Sequence, residues 1–275
     1  MSEAAPAPVS HPSPFAGRRR VVVDELRGAA GSLTFLTRLP LGNAVVLDAG
    51  DLARAVPYFP LIGAAIGGLV ALLAIGMSDV VDPLLGAVVA VAGYAALTGA
   101  LHLDAVADTF DALGTSSRAE ALRVMREPTI GAFGATALFL DLFLRTALLA
   151  VLVVHRDFVS LLIVVGAISR VGPALLLAAL PYARPEGGVA TAFSRGSWIR
   201  ALVAFAVAVV LSAYLLQWVG LVLVAALLLV IAILGDRFRH WLGGVTGDTL
   251  GCSVEILEIA GLSVGLALIS FGVLR

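Results

Sequence analysis

From Ala201 to Leu234 the chain runs without one charged side chain. Crossing the hydrocarbon core of a bilayer, roughly 30 Å thick, takes about 20 mostly apolar residues in a helix. Only a helix or a closed barrel satisfies every backbone N–H and C=O without water. This run is too long for one crossing. Gln217-Trp218-Val219-Gly220 interrupts it with a polar residue, an interfacial Trp and a Gly, which suit a tight turn. The sequence therefore predicts two spans here, 199–217 and 219–235, and five more at 57–77, 83–101, 132–154, 158–180 and 254–274. The piece Leu26 to Leu39 is too short to span and carries Arg38 before Pro40, so it reads as an interfacial or re-entrant helix. The expected fold is all-α: a polytopic transmembrane helical bundle of about seven spans plus that N-terminal helix.

Composition narrows the function. The chain is 60% hydrophobic and only 13% charged, where a soluble domain is about one quarter charged. A net charge of -1 argues against nucleic acid as a partner and against a polybasic peripheral protein, and makes the lipid bilayer the expected surroundings. All 18 basic residues are arginine, which excludes lysine Schiff-base chemistry and a Walker-type phosphate loop. The single Cys252 excludes an intrachain disulfide and a cysteine zinc cage. Residues 1–17, rich in Pro, Ala and Ser, read as disordered, and 1–25 as a tail before one integral membrane catalytic domain, 26–275. Arg18-Arg19-Arg20 leads to Asp24, Glu25 and Arg27 rather than to an apolar core, so no cleavable signal peptide is expected.

The arginines also set an orientation. With the N-terminus inside, the inner segments, among them the long connections 102–131, 181–198 and 236–253, hold Arg18, Arg19, Arg20, Arg27, Arg38, Arg54, Arg118, Arg123, Arg126, Arg184, Arg195, Arg200, Arg237 and Arg239, whereas the outer segments hold only Arg156 and Arg275. The outer turn Ser78 to Asp82 is acidic and free of arginine. By the positive-inside rule the long connections face the cytoplasm, in a multi-pass protein of the cell (inner) membrane.

Two clusters on that side carry chemistry. In Leu101-His102-Leu103-Asp104-Ala105-Val106-Ala107-Asp108-Thr109-Phe110-Asp111, a helix puts Asp104, Asp108 and Asp111 on one face. Three like charges in register destabilise a bare helix, and hard oxygen ligands beside a membrane span suit Mg²⁺. A solvated acidic helix end is the plainer alternative. The second cluster is Gly243-Gly244-Val245-Thr246-Gly247-Asp248-Thr249-Leu250-Gly251, running into a helix with Glu255 and Glu258. Glycines allow close approach to a phosphate, and a helix N-terminus adds partial positive charge. Close helix packing would also explain the glycines. Arg118, Arg123, Arg126, Arg184 and Arg195 could clamp phosphoryl oxygens or serve topology alone. Deeper in the spans, Asp141 and Arg145 form an i, i+4 pair. Arg170 has no helix-local partner and must reach an acid on another helix, with Glu258 the candidate.

These stretches, with Thr34-Phe35-Leu36-Thr37-Arg38-Leu39-Pro40, Phe59-Pro60-Leu61-Ile62-Gly63, Ile130-Gly131-Ala132-Phe133-Gly134, Ser169-Arg170 and Tyr182-Ala183-Arg184, resemble the cobalamin synthase family, the adenosylcobinamide-GDP ribazoletransferases. The likeness runs from about Leu33 to the C-terminus. It departs at Ala105, at Arg126-Glu127-Pro128-Thr129 and at Arg195, where the family has Gly, Arg-Asp-Ser-Arg and Lys. The resemblance implies transfer of adenosylcobinamide phosphate from adenosylcobinamide-GDP to α-ribazole or its 5′-phosphate, with release of GMP and with Mg²⁺ as cofactor. It implies His102, Asp104 and Asp108 as catalytic, and Asp104, Asp108, Asp111, Asp248 and Glu255 as metal ligands. Substrate contacts fall to Arg38, Arg126, Gly131, Arg170, Arg184, Arg195, Thr246, Gly247 and Thr249. The sequence leaves open a homo-oligomer and an assembly with other enzymes of cobalamin synthesis. A secondary transporter is the rival reading, supported only by Asp141, Arg145 and Arg170. A CDP-alcohol phosphotransferase-like enzyme is the other, supported by Asp108-x-x-Asp111 without the rest of that pattern.

Overall fold

In the computed structural model, residues 14–39, 48–194 and 197–274 are described. The regular elements among them are helices, joined by one isolated β-bridge. Helix α1 (Pro14–Leu36) begins inside the segment expected to be a tail and absorbs the short interfacial helix. Charges on α1 have partners on α2. Arg27 Nε and Nη2 donate to Asp51 at 2.9 and 2.7 Å, and Arg54 lies 3.5 Å from Asp24. Asp51 belongs to α2 (Ala49–Ala55), where it closes a capping box with Asp48. The disorder expected over residues 1–13 lies outside the described residues.

A short 3-10 turn leads into α3 (Phe59–Val80), and Asp82 caps α4 (Pro83–Thr98) by accepting the Leu84 N–H at 2.8 Å. Helix α4 ends in a Schellman motif: the Ala100 N–H reaches the Ala95 carbonyl at 2.9 Å, and that of Gly99 reaches Ala96 at 3.4 Å. Gly99 and Ala100 are both left-handed, φ 63° and 56°. A Cβ at Gly99 would also strike the Arg38 side chain, so glycine is needed there twice over. The chain then turns by 90° into α5 (Leu101–Leu113). Helix α5 is amphipathic and runs across the axis of α4 instead of continuing it. After α6 (Arg118–Val124) come α7 (Ala132–Leu152), α8 (Phe158–Ala179), α9 (Ser197–Leu242) and α10 (Gly247–Ser270).

Five helices, α3, α7, α8, α9 and α10, are long and apolar enough to cross a membrane, or six if the bent α4–α5 pair counts as one span. Helix α9 is a hairpin. Gln217 leaves helical geometry (φ 54°, ψ -135°), and a Cβ on Gly220 would overlap the Ser212 carbonyl. Eight residues along a straight helix are about 12 Å apart, so the chain has reversed within Gln217–Gly220. Helix α8 is central, 78% of its apolar window being buried against 17% for α7. It meets α3 through small residues: a Cβ on Gly63 or Gly67 would overlap the carbonyls of Gly166 or Leu162. Helix α10 starts at Gly247 rather than at 254, because Thr246 and Thr249 form a reciprocal cap that extends it by two turns. Asp248 is thereby on a first helical turn instead of a loop.

Candidate active site

At the end of the bundle where α4 and α8 finish and α10 begins, a cavity of about 300 Å³ opens. Its polar wall comes from four places: His102 and Asp104 on α5, Arg170 on α8, Tyr182 and Arg184 just after α8, and Gly247 and Asp248 on α10. Backbone strapping fixes the last two groups together. The Ala183 N–H donates to Val245 O at 2.7 Å, and that of Val245 to Pro181 O at 2.9 Å. A Cβ on Gly244 would overlap the Pro181 carbonyl, so that glycine permits the close pass. Arg118 Nη2 holds the Ala183 carbonyl at 3.1 Å, tying α6 to the same strap.

Helix α10 therefore presents its first turn to the cavity. Thr246 Oγ1 accepts the Thr249 N–H at 3.2 Å, and Thr249 Oγ1 accepts that of Thr246 at 2.8 Å. Both threonines are fully buried. They build the cap and are not among the cavity-lining residues. Gly247 does reach the cavity, its N–H on Tyr182 Oη at 3.3 Å. Arg184 Nη2 pairs with Asp248 at 2.6 Å. Three nitrogens of cavity-lining residues are buried without a hydrogen-bond partner: Arg184 Nε, Arg170 Nε and His102 Nδ1. Such donors are costly unless something fills them.

The aspartates separate by role. Burial, then the charges of Asp104, Asp248 and Asp111, push Asp108 up to about 7 against the pull of Arg184. These carboxylates share one field, although no group of three acids or histidines among the described residues forms a ready-made metal cage. Asp111 is committed elsewhere: it accepts the N–H groups of Gly131 and Gly134 at 2.7 and 2.8 Å and so caps α7. A Cβ on either glycine would collide with it, so glycine permits the close pass at both positions. Arg126 pairs with Glu186 at the surface. Arg38 donates its N–H to Leu97 O at 2.7 Å and is not among the cavity-lining residues. Arg195 lies outside the described residues.

Glu255 faces the interior. It accepts Tyr94 Oη at 2.6 Å and pairs with Arg145, which also pairs with Glu258; Glu258 in turn pairs with Arg170. Arg170 thus finds its acid on another helix, at the residue expected. Asp141, anticipated as the neutralising partner of Arg145, is the looser contact at 3.7 Å. Arg170 Nη1 also donates to Ser169 Oγ at 2.9 Å, and the Arg145 guanidinium sits 4.6 Å from the Tyr94 ring centroid. This network joins α4, α7, α8 and α10 and cements the floor under the cavity. Glu255, expected as a metal ligand, is engaged in this network. His102, 3.9 Å from Glu255, is pushed down to about 3 by burial and by the charges of Arg170 and Arg145, so it stays neutral.

The model of the cobalamin-5-phosphate synthase family matches residues 28–266. The chain belongs to this family. It is 37% identical to the adenosylcobinamide-GDP ribazoletransferase of Chlorobaculum parvum over 86% of this chain and 93% of that protein. The same-named protein of Rhizobium etli is 40% identical over 85% and 94%, and that of Syntrophobacter fumaroxidans 38% over 86% and 96%. No solved structure gives a significant match.

Within this cobalamin-5-phosphate synthase fold, several working groups escaped sequence reasoning. Tyr94 and Ser169 look unremarkable inside apolar helices, yet both complete the buried network. The signal available was a lone tyrosine in the uncharged run before Gly99. Tyr182 was quoted only as part of a motif, although its hydroxyl holds the first amide of α10.

Proposed function

We propose that this protein is an adenosylcobinamide-GDP ribazoletransferase, acting on α-ribazole or its 5′-phosphate. The family and the names of the relatives support this reading. The observation that carries it is the convergence on one cavity of Arg170 and Arg184, the first turn of α10, and Asp104 with Asp248. Buried guanidinium N–H groups beside a helix N-terminus suit phosphoryl oxygens. A ribose hydroxyl of the acceptor attacks the phosphorus next to the cobinamide alcohol. The P–O bond to GMP breaks, GMP leaves, and the hydroxyl proton passes to a base. His102, neutral and weakly basic, is poorly matched to that task. The proton goes to an aspartate, with Asp104 at the cavity wall best placed. Arg184 and Arg170 orient the pyrophosphate and stabilise the charge that grows on its oxygens.

The donor set fits Mg²⁺. Carboxylate oxygens of Asp104, Asp108 and Asp248 are hard ligands, and the mutual repulsion felt at Asp108 is what a divalent cation relieves. Mg²⁺ typically binds one or two carboxylates plus substrate phosphates, so a closed protein cage is not required. Bound there, it would neutralise charge on the transferring and leaving oxygens. The arginine distribution supports a cell-membrane location with this face toward the cytoplasm. The test is direct: purified protein given adenosylcobinamide-GDP and Mg²⁺ should release GMP only when α-ribazole or its phosphate is added. Release independent of the acceptor, or none at all, would overturn the reading.

A further inference from the structure

The cavity has a second character. Besides Asp104, Arg184 and Asp248, its lining includes Phe35 of α1, Phe59 of α3, Phe193 of the 189–194 turn, Val56 and Leu177. The three phenylalanines touch one another, with ring centroids 4.6 Å apart for Phe35–Phe193, 5.5 Å for Phe59–Phe193 and 6.1 Å for Phe35–Phe59. They come from three separate elements. Phe59 and Phe193 are buried, while Phe35 is half-buried and keeps part of its surface free.

We infer that this aromatic end is the acceptor-base subsite: it holds the dimethylbenzimidazole of α-ribazole against Phe35, Phe59 and Phe193 and selects apolar bicyclic bases over purines. The inference rests on the proposed reaction and adds to it the placement and specificity of one substrate. Size favours it, since a cavity of about 300 Å³ suits a nucleoside-sized ligand. A corrin ring is far larger and stays outside, with only its phosphate arm reaching Arg184 and Asp248. Chemistry then chooses between the two bases in the reaction. Guanine carries donors and acceptors along its edge, and burying them against phenylalanine, valine and leucine would leave them unpaired at a cost of roughly 1–3 kcal/mol each. A benzimidazole with two methyl groups loses almost nothing there and gains flat aromatic contact. With the base at the phenylalanines and the pyrophosphate at the arginines, the ribose lies between them, where its hydroxyl must attack.

The test is steady-state GMP release with both substrates varied. Phe35→Leu keeps the wall apolar but removes the most accessible ring, so the KM for α-ribazole should rise about five- to tenfold. The KM for adenosylcobinamide-GDP should stay within a factor of two. A rise confined to the GDP substrate would assign the pocket to guanine and overturn the proposal, and so would parallel shifts in both constants, which mark a merely structural role. A second measurement needs no variant. Wild-type protein should prefer the α-riboside of dimethylbenzimidazole to that of adenine by at least about a hundredfold in kcat/KM, and equal use of the two would overturn the subsite. A wild-type protein that transfers to no acceptor would instead bring down the proposed function itself.

Discussion

Arg170 is 1% exposed, so each atom facing it carries weight. It shares Glu258 with Arg145, and Tyr94 lies between the two guanidinium groups. Removing one partner of a buried pair leaves an uncompensated charge and costs about 3–5 kcal/mol. Glu258→Gln strips both arginines of a counter-charge, whereas Arg170→Leu leaves Glu258 still paired with Arg145. Thermal melting in detergent should therefore show the larger loss for Glu258→Gln, and the double variant should lose clearly less than the sum. Full additivity would mean the two side chains are not coupled. Asp108 behaves oppositely, because no ion pair with a described residue neutralises it. Its folded pKa lies above the ordinary carboxylate value, so the folded state holds a proton the unfolded chain has lost between about 4 and 7. The stability from that proton is present at low pH and disappears as pH rises through about 7. In metal-free buffer the wild type should lose melting temperature over that window relative to Asp108→Asn. The same variant should lower kcat at least about a hundredfold, the scale of one major electrostatic stabiliser. Near-normal turnover would make the acidic face of α5 a solvated helix end.

At the scale of elements, the apolar runs and the Gln217–Gly220 turn were legible because bilayer thickness and backbone satisfaction leave few options. The shared face of Asp104, Asp108 and Asp111 was legible from helical spacing alone. Where α10 begins was not: its cap is Thr246 with Thr249, whereas the recognisable signature has Glu or Gln at the last position. Helix α1 was hidden for a related reason, since Asp24 and Arg27 look solvated until α2 supplies Asp51 and Arg54. Nor could spacing reveal that Asp111 turns from its two neighbours to the amides of α7. That difference is measurable. Asp111→Ala removes two hydrogen bonds to a charged acceptor, each about 1.5–3 kcal/mol, and should lower the melting temperature while the Mg²⁺ concentration for half-maximal rate stays unchanged. Asp248→Asn should do the reverse, raising the Mg²⁺ requirement with little change in melting. If Asp111→Ala shifts the Mg²⁺ requirement instead, Asp111 is a ligand and its cap is incidental.

At the scale of the whole molecule, the helices alternate direction, so α4 and α8 end on the same side on which α3, α7 and α10 begin. The cavity opens there, and so do Arg118, Arg123, Arg126 and Arg184; the opposite end carries Asp79, Asp82 and Asp157. The interior ions, which alone favoured a transporter, are occupied with one another and hold four helices together rather than lining a path. One sidedness thus governs both topology and chemistry, and it can be read in intact cells. Cys252 is 1% exposed, so the native thiol should stay silent to a membrane-impermeant maleimide, and Cys252→Ala removes any residue of doubt about background. In that background, a cysteine replacing exposed Ser116, between α5 and α6, should react only after the membrane is permeabilised. A cysteine replacing exposed Asp79, at the other end of α3, should react from outside at once. The reverse pattern would put the arginine-rich end outside, against the positive-inside rule.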